Sequence, residues 1–161
     1  MDIKRKLIIM IKYADTKVVF QEVPDKISLA INITNCQHNC KGCHSPYLRT
    51  DTGDELNEES IERLISENKG INCVLFMGEG NDRESLMNMS KHIHENHRDI
   101  QTAVYSGRKE VEDEMYKEFD YVKVGPYIEE CGPLNKRTTN QRLYKCDKNG
   151  NKEDITYRFW A

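Results

Sequence analysis

Three thiols fall within eight positions of this chain, Cys36, Cys40 and Cys43 in "NITNCQHNCKGCHSPY", and no fourth stands beside them. Thiols crowded in this way are metal ligands before anything else, and the question is which metal. Structural zinc takes four protein ligands, typically as two separated pairs, and here the second pair is missing. His38 or His44 could still complete a Cys3His zinc site. A cubane iron-sulfur cluster ligated by only three thiolates would keep one iron open. An open metal position serves reactivity rather than scaffolding. The other cysteines, Cys73, Cys131 and Cys146, stand singly in element-like segments and read as small apolar residues. A redox thiol protein fits less well, because no Cys-x2-Cys here resembles a thioredoxin-type helix start.

The elements around this loop decide where it sits. "KLIIMIKY" and "KVVFQEV", separated by "ADT" and interrupted afterwards by Pro24, read as an opening β-hairpin or edge pair. "KISLAINIT", 26–34, is a buried strand, and the cysteine loop begins at its C-terminal end. "LNEESIERLISEN" is a helix with Ile61, Leu64 and Ile65 on one face, Asn57 as cap and Leu56 stapled onto Ile61. "INCVLFMG" follows as an apolar strand. "NDRESLMNMSKHIHENH" is a second helix, with Asn81 and Glu84 in a capping-box pattern and Leu86, Met89 and Ile93 on one stripe. "IQTAVYSG" is a strand, "KEVEDEMYKEF" a third helix with Val111, Met115 and Phe119 in phase, and "DYVKVG" a strand. "RLYKCD" and "DITYRFW" flank "KNGN" as a closing hairpin. The alternation predicts an α/β fold with a mostly parallel sheet and right-handed crossovers.

In such sheets ligands bind outside the carboxyl ends of the strands. The cysteine loop, "MGEG", "YSG" and "VGPY" all follow predicted strands and therefore converge on one edge. Turn glycines and a serine before a helix need no ligand to explain them. Their shared position is what makes them candidates. His92, His94 and His97 crowd one helix end and read as a solvated terminus, and Asn140, Gln141 and Arg142 would by themselves be a polar turn.

Cys36, Cys40 and Cys43 match the Cys-x3-Cys-x2-Cys signature at the end of the first barrel strand in the radical S-adenosylmethionine superfamily, which this chain resembles. The superfamily usually has an aromatic residue before the third cysteine, where this chain has Gly42. "CKGCHSPYL" is instead similar to the activating proteins of anaerobic ribonucleoside-triphosphate reductase, as is "GPLNKRTTNQR" with its Asn140, Gln141 and Arg142. The likeness runs from about residue 17 to 144. It implies a partial, incomplete β/α barrel spanning 1–161 as one domain, with its core roughly at 26–130 and a C-terminal extension at 131–161. It further implies a 4Fe-4S cluster on Cys36, Cys40 and Cys43, with S-adenosylmethionine held near His44, Gly78, Glu79, Gly80 and Ser106. "FMGEG" resembles the superfamily's Gly-Gly-Glu segment, with Met77 in place of the first glycine.

The activity that the resemblance implies is reductive cleavage of S-adenosylmethionine at the cluster, followed by hydrogen abstraction from a glycine of the large reductase subunit. The implied partners are that subunit and an electron donor such as a flavodoxin or ferredoxin. Asn140, Gln141 and Arg142 would touch the partner or the cofactor. Rival readings are an activase for a formate-lyase type of glycyl-radical enzyme, a small deazapurine-forming synthase, and a non-catalytic zinc-binding interaction module.

Composition narrows the class without choosing among these. Hydrophobic residues at 37% and charged residues at 32% suit a globular domain rather than a disordered or fibrous chain. Residues 51–120 hold 18 acidic and 8 basic side chains, whereas 132–161 hold 7 basic and 3 acidic, so the positive charge lies in the tail. That tail falls short of a nucleic-acid footprint. The longest apolar run, "LIIMI", is far below the roughly 18 residues of a membrane span, and no cleavage site follows "MDIKRK". A cytoplasmic protein without membrane or nucleic-acid partners is expected.

Overall fold

The computed structural model describes residues 11–34 and 52–160. Strand β1 runs Lys12–Val19, β2 Ser28–Ile33 and β3 Asp54–Glu55; helix α1 runs Glu58–Glu67, β4 Cys73–Met77 and α2 Arg83–Asn96. Then come β5 Gln101–Tyr105, α3 Asp113–Glu118, β6 Tyr121–Val124, β7 Arg142–Cys146, β8 Lys152–Asp154 and a closing 3-10 turn, Thr156–Phe159. The strands form one open sheet in the order β3-β1-β2-β4-β5-β6-β7-β8. The fold is α/β, as the alternation of patterns predicts.

β2, β4, β5 and β6 are mutually parallel and advance in one direction across the sheet. Crossovers of one hand then put every connecting helix on the same face. Leu29, Ile31, Ile33, Val74, Phe76, Val104 and Val122 point to that face, where they pack with Ile61 and Leu64 of α1, Leu86, Met89 and Ile93 of α2, and Met115 of α3. Period-two alternation sends Ala30, Cys73, Leu75, Ala103 and Tyr121 to the opposite face, which Val23 and Ile155 cover.

Several expectations need correction. The sheet is mixed rather than mostly parallel, because β1, β3, β7 and β8 all pair antiparallel at its flanks. "ADT" is not a hairpin turn: Ala14, Asp15 and Thr16 lie inside β1. Between Tyr13 and Thr16 the register to β2 advances by one residue fewer than on β1, a bulge, and the Asp15 carboxylate accepts a hydrogen bond from Asn32 Nδ2 at 2.8 Å. The strand thus uses its polar residues against its neighbour. β3 has no counterpart in the sequence reading. Its turn depends on Gly53 at φ +96°, where a Cβ would fall 2.1 Å from the Tyr13 carbonyl oxygen.

The helix ends differ by mechanism. α1 carries the expected cap, with Asn57 Oδ1 accepting from Ser60 N at 2.9 Å, and Leu56 and Ile61 are both buried. α2 is capped by Asp82 instead of Asn81, and Asp82 Oδ1 accepts from Ser85 N at 3.2 Å. α3 begins only at Asp113, because Glu112 at its cap position makes no capping bond and turns its carboxylate to Arg108. "DITYRFW" is not a strand. Asp154 Oδ1 accepts from Thr156 N at 3.0 Å, which bends the chain out of β8 and into the 3-10 turn.

His92 and His94 of α2 and His97 at its C-cap are engaged rather than merely solvated. His92 and His97 both reach Glu62 of α1, at 2.9 and 2.8 Å. His94 lies between Asp120 and Glu118, 2.8 Å from each, and these hydrogen bonds push its pKa up to about 9. Ser90 Oγ donates to Glu118, and Asp120 also accepts from Thr102 N, so a half-buried polar cluster joins α2 and α3 to the N-terminal ends of β5 and β6. Among the described residues, no helix is long and apolar enough to cross a membrane.

Candidate functional site

Cys36, Cys40, Cys43, His38 and His44 lie outside the described residues. The described residues form the floor and one wall of the edge where they were expected. Gly78, Glu79 and Gly80 follow β4, Ser106 and Gly107 follow β5, and Gly125 follows β6, so the three described loops of the four predicted to converge lie together at the C-terminal ends of the parallel strands. Backbone bonds join them in sequence: Gly78 N donates to Tyr105 O, Ser106 N to Lys123 O, and Gly125 N to Arg108 O at 2.6 Å.

Gly80 sits at φ +66°, and a Cβ there would come within 2.9 Å of Ile33 Cγ2 and 3.4 Å of Thr34 O. The loop after β4 is therefore seated on the last residues of β2. Side chains larger than hydrogen would force it away from that strand end.

Between these glycines, Glu79 is buried at 7% exposure. Its Oε2 accepts from Ser106 Oγ at 2.5 Å and from Arg108 Nε at 3.0 Å. Its Oε1 accepts from Arg108 Nη2 at 2.7 Å and from Arg83 Nε at 2.9 Å. Burial opposes ionisation, but the Arg108 and Ser106 hydrogen bonds and the Arg108 and Arg83 charges outweigh it, so the carboxyl is held below the usual carboxylate range. An ionised carboxylate offers about four lone-pair sites, and all are taken. Glu79 is thus an internal anchor, and a ligand at this edge would meet the backbone of 78–80 rather than its carboxylate. Ser106 is likewise committed, donating to Glu79 and accepting from Arg108 N at 3.0 Å.

Arg108 and Arg83 escaped the sequence reading. The Glu79/Arg83 spacing of four was the available signal, while Arg108, a lone arginine past a Ser-Gly turn, reads as solvated. Arg108 is also forked onto Glu112, Nη1 to Oε1 at 2.9 Å and Nη2 to Oε2 at 2.7 Å, and this lowers the Glu112 pKa to about 2.

A second group lies on the sheet face opposite α1, α2 and α3. Asn32, Met77, Tyr105 and Lys123 are in register across β2, β4, β5 and β6. Lys123 Nζ stands 5.2 Å from the centre of the Tyr105 ring and 3.4 Å from the Gly125 carbonyl oxygen. The Tyr105 hydroxyl donates to the Glu22 carbonyl. This row combines a buried cation, an amide, a thioether and an aromatic ring at the end of the sheet where the loops meet. Its signal in the sequence was the polar residue breaking each of two apolar strands, Asn32 in "LAINI" and Lys123 in "YVKV".

Asn140 and Gln141 join the same edge, and Arg142 departs from it. Asn140 Nδ2 donates to Pro126 O at 3.0 Å, and its Oδ1 is buried without a hydrogen-bond partner among the described residues. Gln141 Nε2 donates to the Gly125 carbonyl at 3.3 Å. Arg142 opens β7 and turns to Asp154 at 3.6 Å and to the Trp160 ring. Cys73, Cys131 and Cys146 are free cysteines, and burial pushes the Cys73 and Cys146 thiols up to about 12. Among the described residues no cluster of His, Cys, Asp and Glu could hold a metal ion. No protein-family model, curated protein or solved structure matches the chain.

Proposed function

We propose that the protein is a radical S-adenosylmethionine enzyme that activates an anaerobic ribonucleoside-triphosphate reductase by forming a glycyl radical on its large subunit. In this reading Cys36, Cys40 and Cys43 ligate a 4Fe-4S cluster through three of its irons, and S-adenosylmethionine occupies the fourth. When bound, the pair supplies one-electron reductive cleavage of the sulfonium and thereby the means to abstract hydrogen from a glycine. The electron comes from a flavodoxin or ferredoxin. The open sheet is then the incomplete barrel of that superfamily, and a cytoplasmic location follows.

The observation that carries the reading is the convergence at one sheet edge. Gly80 rests on Ile33 and Thr34, directly before residues 35–51, while Glu79 is bonded to the loop after β5. In this reading a ligand held by the cysteine loop lies against 78–80. The described residues also fit a zwitterionic sulfonium: Met77 and Tyr105 offer apolar surface, and the carbonyls at the strand ends can accept from an ammonium. The chain's own part is to orient that ligand, exclude water and leave room for a peptide loop.

The test is anaerobic incubation of the reduced protein with S-adenosylmethionine and the large reductase subunit, followed by electron paramagnetic resonance. A glycyl doublet that depends on all three components supports the assignment. A doublet obtained with a formate-lyase type enzyme but not with the reductase would move the chain to the neighbouring activase class.

A further inference from the structure

We propose that Arg108 is a positioning residue for S-adenosylmethionine, acting by holding the loops after β4, β5 and β6 in one arrangement. The inference rests on the functional reading above and extends it to a residue outside the signature segments.

Arg108 contacts every described loop of the edge. Its guanidinium binds Glu79 in the loop after β4, its backbone N–H donates to Ser106 after β5, and its carbonyl accepts from Gly125 after β6. Its outer side is forked onto Glu112 before α3, and Nη2 lies 3.6 Å from Met115 Sδ. Glu79 carries the restraint onward, because Gly80 beside it is seated against Ile33 and Thr34. One side chain thus relays a fixed geometry from α3 to the strand end that leads into residues 35–51.

Stability alone is a poor reason for such a device. Burying a carboxylate carries a desolvation penalty, and apolar residues of similar volume commonly hold a loop at least as firmly. A bidentate arginine fork adds direction: two planar groups meet in one orientation, which lysine, a point charge, does not reproduce. Partners that orient metal ligands from outside alter affinity about 10- to 100-fold, and Arg108 is placed to act on the loops of this edge by the same kind of indirect restraint. Arg83, half-exposed on the other side of Glu79, keeps the carboxylate charge-paired when Arg108 is changed, so the variant retains a paired Glu79.

The experiment uses the full chain, reconstituted anaerobically with iron and sulfide, and measures S-adenosylmethionine affinity by isothermal titration. Arg108→Lys should raise Kd about tenfold, and Arg108→Ala further, with iron content and the electron paramagnetic resonance signal of the ligand-free reduced cluster unchanged. Glu112→Gln, at a half-exposed position, should raise Kd about two- to threefold, and it decides the matter if the Arg108 variants do not fold. Unchanged Kd in the folded variants, even with lowered thermal stability, overturns the positioning role and leaves the functional reading standing. Failure of the wild-type protein to bind S-adenosylmethionine overturns both.

Discussion

At the scale of single residues, the molecule invests its charge in two places with opposite pH behaviour. Glu79 has a folded pKa below its unfolded value. Its stabilisation is therefore present above the unfolded value and is lost as pH falls through the folded one. Glu79→Gln keeps the shape, removes the charge and leaves two guanidinium groups facing an amide; a loss of about 2–3 kcal/mol is expected in urea unfolding at pH 7, shrinking toward acid pH. His94 is the reverse case. Its pKa is raised from 6.5 to about 9, so its contribution is full below 6.5 and disappears as pH rises through 9. His94→Gln should cost about 1–2 kcal/mol at pH 6, allowing for solvent screening, and almost nothing at pH 10. Unfolding curves of both proteins at the two pH values isolate the histidine. Glu79 was legible as a candidate and its spacing to Arg83 as a signal, but the ion pair to Arg108 and the pairing of His94 with Asp120 and Glu118 were not, because those partners lie more than 20 residues away.

At the scale of elements, what could be read was what local chemistry decides. Asn57 three residues before Ser60, with Leu56 and Ile61 flanking, marks a helix start by contacts confined to one turn, and α1 begins there. Asn57→Ala should therefore cost about 1 kcal/mol, read as a shift in the urea midpoint at unchanged slope. Elements misread were those where a distant partner overrides the local signal. "ADT" has turn composition, yet Asn32 on the neighbouring strand draws Asp15 into a bulge. Val111 is in helical phase and buried, yet Glu112 is drawn to Arg108 and α3 starts late. β3, two residues long, has too little sequence to carry a pattern, and the glycine that permits it is its only signal. Gly53→Ala should cost more than about 2 kcal/mol, since the clash is with a backbone carbonyl that cannot rotate away.

At the scale of the whole molecule, the arrangement is an open α/β sheet with helices on one face, and its loops gather at the carboxyl edge of four parallel strands. The alternating pattern made this legible, because parallel strands joined by crossovers carry their strand-to-helix loops at one edge and the helix-to-strand loops at the other. The antiparallel flanks were less so: strand composition does not tell direction, and the hairpin of β7 and β8 showed only through its Asn-Gly turn. Function follows from the edge if the cysteine loop carries an iron-sulfur cluster with an open iron. The most direct measurement is iron and sulfide content of anaerobically reconstituted protein, with electron paramagnetic resonance of the reduced form before and after S-adenosylmethionine is added. About four irons and four sulfides per chain are expected, and a signal that changes when the ligand docks. Colourless protein holding one zinc per chain, or a cluster whose signal ignores the ligand, would contradict the functional reading.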